Sequence, residues 1–220
     1  MNLDATDYMM NILSTAKYVQ KGLDCDGVRF DVVVVDEAAE LGGVFCYRQQ
    51  LLYGGSNNFV CIGAADVDRW VDKVGAADAR RMMKFTIAHE IGHLHQWEQQ
   101  PPNATAGRVD LIVSMDNEVY ADTFALQLID ITYDEYVDIY QKVLATASDH
   151  VIKSNPINAL VYAGGGWIAQ KFDRHIRNMK VADKLEKERL VNNKTFKSQI
   201  HNIANTVLEQ YCNVKLVKSA

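Results

Sequence analysis

Two histidines four residues apart, with a glutamate directly after the first, are the residues of this chain best placed to do chemistry: His89-Glu90-Ile91-Gly92-His93. On an α-helix, positions i and i+4 share a face one turn apart. Two imidazoles so placed can close on one metal ion at about 2.0–2.1 Å. Glu90 then stands beside the pair, within reach of a water on that ion. A bound divalent ion brings the pKa of its water down to about 7. A glutamate beside it accepts the proton as the water attacks a carbonyl, then hands it to the leaving amine. The H-E-x-x-H spacing therefore predicts metal-dependent amide hydrolysis, with His89 and His93 as ligands and Glu90 as general base.

The flanks support a helix. Residues 78–88 contain good helix formers and no Gly or Pro. Met82, Phe85, Ala88 and Gly92 recur at helical spacing, as do Ile87, Ile91 and Leu94. Much of the helix girth is apolar, which predicts burial, and a buried histidine pair needs partners. A catalytic zinc has three protein ligands and an open position. The pattern H-E-x-x-H-x-x-G-x-x-H fails here, because Gln96 and Gln99 occupy its glycine and third-histidine places. His95 lies about 200° round the helix from His93 and is expected to be a polar surface residue. Glu118 is the candidate third ligand, on a second predicted helix beyond the loop that holds Pro101-Pro102. Asp116 and Asn117 are rivals beside it. Asp122, one turn after Glu118, is expected to accept the other ring N–H of a ligating histidine, His89, and so fix its tautomer. Tyr120, His150, Tyr162 and His175 all remain open as donors to the developing oxyanion.

The elements that must position these residues run from strands to helices. The pattern predicts a helix over 7–20, a turn over 22–27 and a strand over 28–35. A second strand is expected over 44–47 with 48–53 continuing it, then a turn over 54–58 and a strand over 59–62. Short turns between three strands predict a small antiparallel sheet packed on the motif helix. Its last strand, Phe59 to Ile62, is expected to offer an edge on which an extended substrate pairs. From about Ser114 the chain reads as helical almost throughout, broken at Pro156, at Gly164-Gly165-Gly166 and at Asn192-Asn193. The class is α+β, with a core over 1–130 and a helical region over 131–220 packed on it.

The 48% hydrophobic and 23% charged content is that of a globular protein. The acidic N-terminus has no signal-peptide pattern, and the uncharged stretch from Ser154 to Gln170 is interrupted by Pro and Gly, so no membrane span is expected. Cys25, Cys46, Cys61 and Cys212 lack paired ligand spacing and read as reduced thiols of a cytoplasmic protein. Residues 1–150 carry 11 basic and 23 acidic side chains, whereas residues 151–220 carry 12 basic and 5 acidic. The bland explanation of this asymmetry is a solvated basic helix face that complements the acidic half. The sharper one is a docking surface for an acidic partner or nucleic acid. Nothing in the chain has the form of a nucleic-acid module.

The segment from Phe85 to Leu94, followed by Glu118-Val119-Tyr120-Ala121-Asp122-Thr123-Phe124-Ala125, resembles the ImmA/IrrE family of metallopeptidases. The resemblance covers residues 28–130 in organisation and some twenty residues in specific motif. It implies a zincin-like fold, His89, His93 and Glu118 as ligands, and Glu90 as base. It also implies zinc as cofactor, although two imidazoles and a carboxylate suit Mn2+ or Fe2+ as well. The substrate it implies is a protein, such as a transcriptional repressor or another host or phage protein. The alternative is a catalytically inactive zinc-binding regulatory or interaction module that acts through the basic helical tail.

Overall fold

The computed structural model describes residues 5–36, 43–50, 56–99, 115–132, 134–136, 138–139, 142 and 194–212. In chain order these form α1 (Ala5–Ser14), β1 (Lys17–Cys25), β2 (Val28–Val35), β3 (Val44–Gln50) and β4 (Ser56–Gly63). Helices α2 (Ala64–Val74), α3 (Ala76–Gln99), α4 (Met115–Ile129) and α5 (Lys194–Tyr211) follow. The class is α+β, and the four strands make one sheet in the order β1-β2-β4-β3.

The sheet is mixed, not antiparallel as its short turns suggest. β1–β2 and β3–β4 are antiparallel pairs, but β2 and β4 run parallel, with Val32 opposite Val60 and Val34 opposite Ile62. The physical reason is the connection after β2. Eight residues separate β2 from β3, β3 stands one place further out, and β4, antiparallel to β3, occupies the place beside β2. β4 therefore has partners on both sides, while β3 has β4 alone among the described residues.

β1 is a strand where sequence periodicity predicts the end of the first helix. α1 stops at Ser14, and Thr15 and Ala16 donate back to the carbonyls of Ile12 and Leu13. β1 is an edge strand with only Leu23 and Cys25 buried, and its register slips twice. An edge with so few inward positions carries almost no period-two signal. The β1–β2 turn is only Asp26-Gly27, both at positive φ (53° and 86°). This Asp-Gly pair matches the twist of the two strands it joins.

Successive strand residues serve opposite faces of the sheet. Val32, Val34, Val44, Val60 and Ile62 face a core shared with α2, α3, α4 and α5. Val33, Val35, Phe45, Phe59 and Cys61 face the other way, where Ile12, Leu13 and Ala16 cover them. This double covering explains why the second half of β2, Val32 to Val35, is an unbroken valine run. Helix α3, 24 residues long, crosses the first face. Gly75, at φ 83°, ends α2 with its N–H on the Val71 carbonyl and lets the chain turn into α3. Phe196, Ile200, Ile203, Ala204, Val207 and Leu208 of α5 complete the same core, at helical spacing.

Candidate metal centre

His89, Glu90 and His93 lie on α3, whose other sides are filled by Met83, Ile87, Ile91 and Leu94, all essentially buried. The i,i+4 spacing does what helix geometry requires. Nε2 of His93 lies 3.0 Å from Nε2 of His89, with the rings edge to face. Two nitrogens sharing a tetrahedral zinc at its usual bond length stand about 3.3 Å apart. The pair is thus already arranged with both Nε2 atoms converging, and it fits a shared ion.

Asp122 on α4 fixes one of these rings. Its Oδ1 accepts from Nδ1 of His89 at 2.8 Å, and its side chain is nearly buried. An ionised carboxylate only accepts, so Nδ1 carries the proton and the Nε2 lone pair faces His93. Asp122 reaches His89 because α3 and α4 approach closely at Gly92. A Cβ built at Gly92 would lie 2.8 Å from Cα of Ala121 and 3.1 Å from its carbonyl oxygen. Glycine is therefore required there by the gap between the two helices.

Glu90 turns toward the sheet. Its Oε2 accepts the backbone N–H of Cys46 on β3 at 2.9 Å. A carboxylate has lone pairs for more than one donor, so this bond orients Glu90 without consuming it. Burial, and then the Glu90 carboxylate, push the Cys46 thiol well up and raise the Cys61 thiol to about 12. β3 is anchored to α3 a second time: Arg48 pairs with Glu98 at 3.0 Å and reaches the Trp97 carbonyl at 3.4 Å. All four cysteines are free thiols.

Two expectations are revised. His95 is not a polar surface residue but 5% exposed. Its Nδ1 is bonded to the Tyr120 hydroxyl at 2.7 Å and its Nε2 to Asp26 at 3.3 Å, because α4 and the β1–β2 turn both cover that side of α3. The same bond engages Tyr120, one of the four oxyanion candidates; His150, Tyr162 and His175 lie outside the described residues. The strand expected to receive a substrate, Phe59 to Ile62, is enclosed between β2 and β3. Among the described residues, the sheet edge beside Glu90 is β3.

Position 118 lies in α4, one turn before Asp122. The side chain of Glu118, like those of Asp116 and Asn117, lies outside the described residues. Among the described residues no group of three His, Cys, Asp or Glu side chains is gathered for a metal, and His89 and His93 are the described donors at this point. Among them, too, no helix is long and apolar enough to cross a membrane.

Two contributors escaped the sequence reading. Tyr136 donates its hydroxyl to Oδ2 of Asp122 at 2.7 Å. The Cys46 amide holds Glu90, and a backbone group leaves no trace in side-chain patterns. A signal for the first was present. Thr132 and Glu135 make a capping box, with Glu135 Oε2 accepting from Thr132 N and Thr132 Oγ1 accepting from Glu135 N. That box starts a helical turn directly before Tyr136.

No protein-family model, curated protein or solved structure matches this chain.

Proposed function

We propose that this chain is a metal-dependent endopeptidase of the zincin type, acting on a protein or peptide substrate. The observation that carries the reading is the converging imidazole pair, with Asp122 behind one ring and Glu90 directly beside it in sequence. His89 and His93 would hold the ion through Nε2, and Glu118, one turn before Asp122, is the proposed third donor. When bound, zinc, manganese or iron supplies a Lewis acid and lowers the pKa of water. Glu90 accepts the proton of the attacking water and returns it to the leaving nitrogen. Its bond to the Cys46 amide keeps the carboxylate facing β3. An extended peptide would lie along the outer edge of β3, where backbone groups pair with it regardless of its side chains.

The test joins metal content to cleavage. Full-length protein from zinc-replete growth is expected to carry about one ion per chain by elemental analysis. It is expected to cut members of a proteome-derived peptide library and to stop when the ion is chelated. Protein that carries the ion but cuts nothing would favour the regulatory zinc-binding alternative. Protein without metal would remove both.

A further inference from the structure

Asp122 uses both carboxylate oxygens. Oδ1 accepts from Nδ1 of His89, and Oδ2 accepts from the Tyr136 hydroxyl in a buried bond of 2.7 Å. Tyr136 is 4% exposed. Its ring packs on Phe85 at 5.5 Å, and Phe85 lies 6.3 Å from the His89 ring. The capping box at Thr132 and Glu135 and the bond from Tyr136 N to the Thr132 carbonyl set where this tyrosine begins its turn.

The terminal torsion of an aspartate is broad. One hydrogen bond to His89 leaves the plane of the carboxylate to rotate about that contact. A second bond, made by the other oxygen to a different element, removes the rotation. We infer that Tyr136 is a positioning residue of the metal centre: its hydroxyl locks Asp122, and Asp122 in turn holds His89 in the tautomer and orientation that present Nε2 to the ion. The inference rests on the metal-binding reading above.

Without the hydroxyl, Oδ2 loses a donor inside the protein. A buried acceptor that loses its partner is costly, and the carboxylate is then free to rotate about its remaining contact. That rotation weakens its hold on His89. Partners behind a ligating histidine are worth about 10–100-fold in metal affinity. The tyrosine stands one step further out and acts through one of them, so a loss near the bottom of that range is expected.

Tyr136→Phe removes the hydroxyl and keeps the ring on Phe85. In the full-length protein, zinc affinity is measured by competition with a chromophoric chelator for the parent, Tyr136→Phe, Asp122→Asn and the double variant. The expected result is a dissociation constant raised about tenfold in Tyr136→Phe, with the melting temperature of the metal-free protein close to the parent's. In the Asp122→Asn background the same change should add less than about twofold, since coupled residues are not additive. Equal zinc affinity in the parent and Tyr136→Phe would overturn the inference and leave the metal reading standing. So would full additivity with Asp122→Asn, or a fall in metal-free melting temperature large enough to account for the loss. A parent that takes up no zinc overturns both.

Discussion

His89 and His95 stand on the same helix with the same kinds of partner, an aspartate and a tyrosine, and are wired differently. At His89 the parts are in series. Tyr136 bonds to Asp122, Asp122 bonds to Nδ1, and Nε2 is turned toward His93. At His95 they are in parallel: Tyr120 takes Nδ1 and Asp26 takes Nε2. The ring is further stacked on Tyr120 and packed on Phe124. The series arrangement aims one nitrogen at a point shared with a second imidazole. The parallel arrangement commits both nitrogens to protein groups and ties α3 to α4 and to the β1–β2 turn. Residue types alone do not separate a candidate ligand from a staple; the order of connection does.

This contrast can be broken by substitution. The largest effect is expected from Glu90→Gln, whose amide cannot take the proton. Hydrolysis should fall by at least about a hundredfold while elemental analysis finds the metal retained. Cleavage at the parent's rate would remove Glu90 from its role. Next comes the direct comparison of the two histidines. His93→Ala should empty the site of metal. His95→Ala should keep one ion per chain but lower stability by about 2 kcal/mol in urea denaturation, because Tyr120 and Asp26 lose a buried partner. Metal loss of equal size in both variants would erase the distinction.

Gly92→Ala sharpens the comparison from the helix side. The added methyl meets backbone atoms of Ala121, which cannot turn aside, so α4 must shift at a cost of about 1–3 kcal/mol. Asp122 moves with it, and zinc affinity should drop along with stability. A variant of parental stability and affinity would mean that the close helix contact is unimportant. The smallest effect concerns the thiols. Burial is the main cause that pushes Cys25 and Cys61 up to about 12, and the thiolate is the reactive form. Both should resist iodoacetamide at pH 8 in the native protein and react once it is unfolded. The sign for stability follows. Below about pH 9 both states hold these protons; above it only the unfolded state ionises them, so thermal stability should fall as pH rises from 9 toward 11. Rapid native alkylation at Cys61 would contradict its burial on β4, on the sheet face that Ile12, Leu13 and Ala16 cover.

Part of the candidate site's geometry was legible in the sequence because it depends on local spacing. The i,i+4 relation of His89 and His93 needs only a helix. Asp122 was recognisable as the partner of His89 through its place one turn after Glu118 on the following helix. The strands at 28–35 and 59–62 were legible from their β-branched or apolar runs. What escaped depends on choices made at a distance. The parallel pairing of β2 with β4 is decided by where an eight-residue connection lands, and no residue within either strand records it. β1 was hidden because an edge strand with two inward side chains looks like the tail of the amphipathic helix before it. The burial of His95 follows from two elements closing over it, one of them more than sixty residues earlier in the chain (Asp26). Helix α2, with Asp66, Val67 and Trp70 buried, was passed over because its seam is short and interrupted by charge.

Helix α5 packs against α3 and β1, elements made far earlier during synthesis. Phe196 even meets Phe30 of β2, with ring centroids 6.1 Å apart. On the ribosome, α3 cannot gain its contacts with α5 until residues near Leu208 have emerged. Contacts this remote in sequence are slow to form, and exposed apolar surface invites aggregation in the meantime. The core on this side of α3 is therefore closed last, by the final turns of α5.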